Sequence, residues 1–137
     1  MGFYKLISKG YDELYEEEQL IKYNIIKHNL NIKKSDLLLD LGCGTGLFDC
    51  NCMVVGVDPS IDLLKQGKGE LVLAKAEKLP FKDNTFDKVI AVTSIHNFDD
   101  IEKGIDEIFR VGKRVFAFSI LKKTEKFDLI EKHIKDN

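Results

Sequence analysis

The chain has 137 residues, 44% apolar and 32% charged, with a formal net charge of −2, the size and balance of one small globular domain. That balance gives no basic footprint for nucleic acid, and no apolar run approaches the roughly 20 residues that span a bilayer, so neither nucleic acid nor membrane is an expected partner. Three cysteines, an odd number, argue against a disulfide framework, and with no apolar leader after Met1 the expected localisation is cytoplasmic.

Residues 11–29 predict a helix, with Leu14, Ile21, Ile25 and His28 on one face and acids crowding its start, where negative charge suits the helix dipole. It reads as a packing helix. The alternative is a lid in which Tyr4, Tyr11 and Tyr15 cover a site, since an aromatic body with a polar tip suits a cover. After a polar connector, 37–41 is a short apolar run ending in glycines, as a buried parallel strand should. Gly42, Gly44 and Gly46 let the backbone turn sharply and approach a ligand. Only residues 47–52 remain for a helix before the second strand, 53–58, so the crossover is unusually short. Asp40 precedes the glycines and Asp58 ends the second strand, where a carboxylate can accept from a ribose.

A short helix at 61–66 and a third strand at 71–74 follow, then a turn-rich loop at 78–84 and a fourth strand at 86–92. Asp99 or Asp100 can cap a helix reaching Phe109. A fifth strand at 114–120 and a helix at 124–135, with Phe127, Ile130 and Ile134 inward, complete the pattern. Alternating strands and helices make an α/β domain: a Rossmann-like, mostly parallel sheet of about five strands with helices on both faces. One domain covers 1–137, with an N-terminal helix or lid region (1–30), a cofactor-binding core (37–120) and a C-terminal helix (121–137). In such sheets ligands bind beyond the carboxyl ends of the strands, and the glycine turn, Asp58, the loop near Ala76 and residues 93–98 all fall there.

The run Asp40-Leu41-Gly42-Cys43-Gly44-Thr45-Gly46, then Val54-Val55-Gly56-Val57-Asp58-Pro59-Ser60, then Ala76-Glu77-Lys78-Leu79-Pro80-Phe81, resembles the class I S-adenosylmethionine-dependent methyltransferases of small-molecule type. A nicotinamide-type site would want glycine where Leu47 stands. The resemblance implies methyl transfer from S-adenosylmethionine to a small-molecule acceptor. RNA or protein methylation with a partner, or a non-catalytic cofactor-binding subunit, are the alternatives.

It also implies roles. Gly42, Cys43, Gly44 and Gly46 would carry the methionine part, and Asp40 would face its ammonium. Asp58, followed by Pro59, would take the ribose hydroxyls. Ala76 would border the adenine, Thr93 and Ser94 would floor the sulfonium, and Tyr11 would close over the cofactor. Lys75 stands where relatives carry an adenine acceptor, and Lys only donates, so that contact would be lost or made by Glu77. His96 is the candidate general base, with a lining or structural role as its alternative. Cys43, Cys50 and Cys52 lack paired zinc spacing, so no metal is expected. The family sheet ends in an antiparallel hairpin that the sequence lacks. The edge left at strand 114–120 would favour a homodimer or a partner protein. The short crossover predicts a weaker cofactor site than the motif alone suggests.

Overall fold

The computed structural model describes residues 3–9, 15–43, 48–67 and 69–137. The sheet grows from β2 (Leu37–Leu41), whose residues are buried except for the first. Alternation sends Leu38 to one face and Leu39 and Leu41 to the other. On the Leu39 face lie α3 (Ile101–Val111) and α4 (Phe127–Lys135), contributing Ile105, Ile108, Val111, Ile130 and Ile134. On the Leu38 face lies α1 (Tyr15–Leu30), contributing Tyr23, Ile26 and Leu30. The other strands are β1 (Phe3–Lys9), β3 (Met53–Asp58), β4 (Glu70–Leu73), β5 (Phe86–Val92) and β6 (Gly112–Leu121), with the short α2 (Ile61–Lys65) between β3 and β4. The order is β1-β6-β5-β2-β3-β4, parallel at every pairing.

This is the expected Rossmann-like parallel sheet, with strand β5 at the predicted bounds and Asp100 as the cap of α3, accepting from the Lys103 amide at 3.2 Å. Three expectations change. First, β1 lies parallel to β6, Phe3 opposite Val115 through Lys9 opposite Leu121. The edge expected at strand 114–120 is therefore covered by the chain's own N-terminal residues, and β1 takes the edge position instead. Second, α1 buries Tyr23, Ile26 and Leu30, while Ile21, Ile25 and His28 face outward. Apolar residues lie all round this helix, and the contact with Leu38, Ile90 and Ala117 selects the face. Third, residues 48–52 form no helix. The crossover is too short for one, and Phe48 reaches back into the core with Cys50 and Cys52 packed beside it, meeting Tyr23 edge-on with ring centroids 5.0 Å apart.

Candidate functional site

The strand order reverses between β2 and β5, and a cleft of about 420 Å³ opens at that point beyond the carboxyl ends of the strands. Leu41 and Gly42 enter it from β2, Asp58 and Pro59 from β3, and Ala74 to Glu77 from β4. Thr93, Ser94, Asn97, Phe98 and Asp99 enter from β5, and Leu63 from α2.

The turn after β2 is held from both sides. The Gly42 and Cys43 amides both donate to the Val57 carbonyl, at 2.7 and 3.0 Å, and Ser94 Oγ donates to the Leu41 carbonyl at 3.1 Å. Gly42 has φ +76°, and a Cβ there would stand 2.4 Å from Ser94 Cβ. Only glycine fits this left-handed position against Ser94. Thr93 also has a positive φ, +48°, a rare conformation for a β-branched residue. Its amide donates to the Ser119 carbonyl at 2.7 Å. Strained backbone of this kind gathers at functional sites.

Asp58 is buried, and its Oδ1 accepts from the Ser60 amide at 2.9 Å, fixing the carboxylate at the mouth of the cleft. On the rim, Lys75 Nζ pairs with Asp99 at 3.1 Å. Glu77 Oε2 accepts from the Asp100 amide at 2.8 Å and so ties the loop after β4 to the start of α3. Phe98 reaches its place because Gly104 leaves room. A Cβ at 104 would lie 2.4 Å from the ring.

Arg110 is a residue the sequence reading missed. It donates to the carbonyls of Leu79 and Phe81 at 3.0 and 2.8 Å and to Asp83 at 2.9 Å, while Glu107 accepts from the Leu79 amide at 2.9 Å. The Arg110 guanidinium holds the Glu107 carboxyl below its usual range. The available signal was the Glu107/Arg110 spacing of three on a helix, which says nothing of the loop they clamp.

The predicted site residues divide. Gly42, Asp58, Pro59, Ala76, Glu77, Thr93 and Ser94 line the cleft together. Tyr11, Gly44 and Gly46 lie outside the described residues. Asp40 and Cys43 line a second cavity of about 460 Å³ on the α1 face, over β3 and β4, beside Phe48, Cys50, Cys52 and Gly56. Leu41, Leu63, Ala74 and Asp99 complete the cleft without having been singled out.

Asp40 is almost fully buried. Tyr23 donates to Oδ2 at 3.3 Å, and Oδ1 has no hydrogen-bond partner among the described residues. Burial, with a smaller push from Asp58, raises its pKa to about 7 against the opposing Tyr23 hydrogen bond. His96 sits on the 3₁₀ turn Ile95–Asn97 but does not line the cleft. Its Nδ1 is buried without a partner among the described residues. Burial, then the Lys126 and Lys22 ammonium groups, hold its pKa below the usual value. Among the described residues no group of three or more His, Cys, Asp or Glu is placed to hold a metal ion, and no helix is long and apolar enough to cross a membrane.

This arrangement, a glycine turn at the strand switch with an acid at the tip of the neighbouring strand, is that of an open α/β sheet with its ligand crevice at the switch point. Residues 39–115 match the methyltransferase domain family. The chain belongs to that family, among the class I S-adenosylmethionine-dependent methyltransferases. It is 35% identical over 128 residues to the uncharacterised protein MJ1252 of Methanocaldococcus jannaschii, covering 86% of this chain and 50% of that protein. It is 37% identical over 95 residues to the demethylmenaquinone methyltransferase of Corynebacterium kroppenstedtii, covering 64% and 42%. A SAM-dependent methyltransferase of Thermotoga maritima, described as a possible histamine N-methyltransferase, superposes with a TM-score of 0.66 at 22% identity over 87% of this chain and 75% of that one. At that identity the likeness is one of fold. The chain spans about half the length of the curated relatives it matches.

Proposed function

We propose that the cleft binds S-adenosylmethionine and that the protein directs methyl transfer to a small-molecule acceptor. The observation that carries the reading is the convergence of Gly42, Asp58, Ala76, Thr93 and Ser94, drawn from four strand ends, on one cleft of about 420 Å³, within the usual range for a small-molecule site. Two features fit the cofactor. The Gly42–Ser94 contact leaves a cradle that a Cβ would fill. The unpartnered Oδ1 of Asp40 is a buried acceptor suited to a cation.

When bound, S-adenosylmethionine supplies a methyl group already activated by a sulfonium leaving group. The chain's task is then alignment and exclusion of water. Asp58 accepts from the ribose hydroxyls, and the Ala76 amide with Leu63 and Pro59 borders the base. Gly42 lets the backbone approach the methionine part. Asp40, at the wall of the second cavity rather than in the cleft, neutralises the ammonium where the methionine part reaches past Gly42. Thr93 and Ser94 form the floor from which the acceptor is met. Lys75 donates rather than accepts at the adenine edge, and Glu77 is committed to the Asp100 amide through one oxygen.

The small-molecule class is supported by the net charge of −2 and by the relative named for demethylmenaquinone. His96, neutral around pH 7 but outside the cleft wall, packs the 95–97 turn rather than moving a proton. Replacing it with alanine should lower turnover less than about tenfold, against the roughly 10²–10⁴-fold loss of a general base. Incubation with methyl-tritiated cofactor and fractionated cell extract tests the proposal. Label should appear in the low-mass fraction. Label confined to RNA or protein would refute the acceptor class.

A further inference from the structure

Cys50 and Cys52 stand apart from the cleft, in the stretch 48–52 before β3 that forms no helix, and both are free and half-buried. Their sulfur atoms are 2.9 Å apart and line the wall of the second cavity. The third cysteine, Cys43, is buried, with its sulfur over Gly56. We propose that Cys50 and Cys52 are a reversible dithiol–disulfide site that takes a low-molecular-weight disulfide as oxidant and so tunes the cofactor cleft.

The geometry needs little change, because sulfurs at 2.9 Å close to a bond by moving about 0.9 Å. The segment can absorb that shift, since no helix constrains residues 48–52. Burial, then the Cys50 sulfur, push the Cys52 thiol up, so one sulfur of the pair attacks while its neighbour keeps its proton, and the first attack is assigned to Cys50. The Cys50 thiolate attacks one sulfur of the small disulfide. That S–S bond breaks, and one thiolate leaves and takes up a proton. Cys52 then gives its proton to solvent and attacks the Cys50 sulfur, expelling the second small thiol. Two protein thiols become one disulfide, the reagent becomes two thiols, and two electrons pass to it. A disulfide across a single intervening residue is strained, which keeps it reducible.

The consequence travels through packing. Phe48 precedes the pair and rests on Tyr23, whose hydroxyl donates to Asp40 at 3.3 Å. Drawing Cys50 onto Cys52 shifts Phe48 and with it the support of Asp40. This part rests on the cofactor reading above.

The test equilibrates the purified protein with reduced and oxidised glutathione, followed by intact mass, peptide mapping after alkylation, and calorimetric titration of S-adenosylmethionine. We expect a loss of two hydrogens confined to the Cys50–Cys52 peptide, reversed by dithiothreitol, and a dissociation constant changed at least threefold between the two states. Cys52→Ser should trap one glutathione on Cys50, and Cys50→Ser should abolish the disulfide. Two thiols that remain separately alkylatable under oxidising conditions, with no trapped adduct in Cys52→Ser, overturn the redox site. Disulfide formation with an unchanged dissociation constant overturns its coupling to the cleft. Absence of cofactor binding in both states counts against the cofactor reading instead, and the mass readout still decides the pair.

Discussion

Gly42 shows how one atom decides the site. Its φ of +76° and the 2.4 Å that would separate a Cβ from Ser94 make every side chain doubly costly there. Gly42→Ala should lose about 1–3 kcal/mol of stability, read as a lower urea midpoint at unchanged slope. It should also weaken cofactor binding at least tenfold, because the displaced Ser94 forms the cleft floor. An alanine variant with native affinity would remove the cradle from the account. Asp40 gives a pH-dependent prediction. Its folded pKa of about 7 lies above the ordinary carboxylate value of 3.8, so the folded state holds the proton more tightly than the unfolded chain. Between those values the unfolded chain ionises first, and stability falls as pH rises, by on the order of 4 kcal/mol in all. The stability difference between wild type and Asp40→Asn should therefore shift in favour of the variant from pH 4 to pH 8. A cation beside Asp40 favours the charged form, so affinity for S-adenosylmethionine should rise with pH through about 7 in the wild type and stay flat in Asp40→Asn. Equal affinity at pH 5.5 and pH 8 in the wild type would take Asp40 out of the site.

At the scale of elements, the carboxyl ends of β2, β3, β4 and β5 were legible because their chemistry is local. Glycines after a buried run, an acid at a strand tip and a capping Asp100 each announce themselves in a few residues. What depended on distant partners was not legible. Nothing within residues 3–9 says that they will pair with β6, more than a hundred positions away. The apolar residues around α1 leave the choice of face to the sheet it meets. Asp40 and Leu38 share a face by simple alternation, but the helix that would cover that face was known only after folding, so Asp40 was expected in the cleft and lies over the second cavity. Arg110 belongs to the same class, an exposed-looking helical cation that in fact clamps the loop bordering Ala76. Arg110→Met keeps the aliphatic stem and leaves the Leu79 and Phe81 carbonyls without their donor. It should cost about 2 kcal/mol in chemical denaturation and weaken cofactor binding more than the acceptor interaction. A variant as stable as wild type would show that the loop holds itself.

For the whole molecule, the short crossover has two effects. It keeps β2 and β3 parallel neighbours while leaving residues 48–52 without a helix. It also opens a cavity of about 460 Å³ on the α1 face, into which Asp40 and the three cysteines look. The cleft at the strand switch is nonetheless assembled from four strand ends. The central claim is that this cleft, with Asp58 as its ribose acceptor, is the cofactor site. Calorimetric titration of S-adenosylmethionine into the wild type and Asp58→Ala, both shown to be folded by circular dichroism, tests it most directly. The account predicts saturable one-site binding to the wild type, weakened at least tenfold in the variant. Binding of equal strength to both proteins would contradict it.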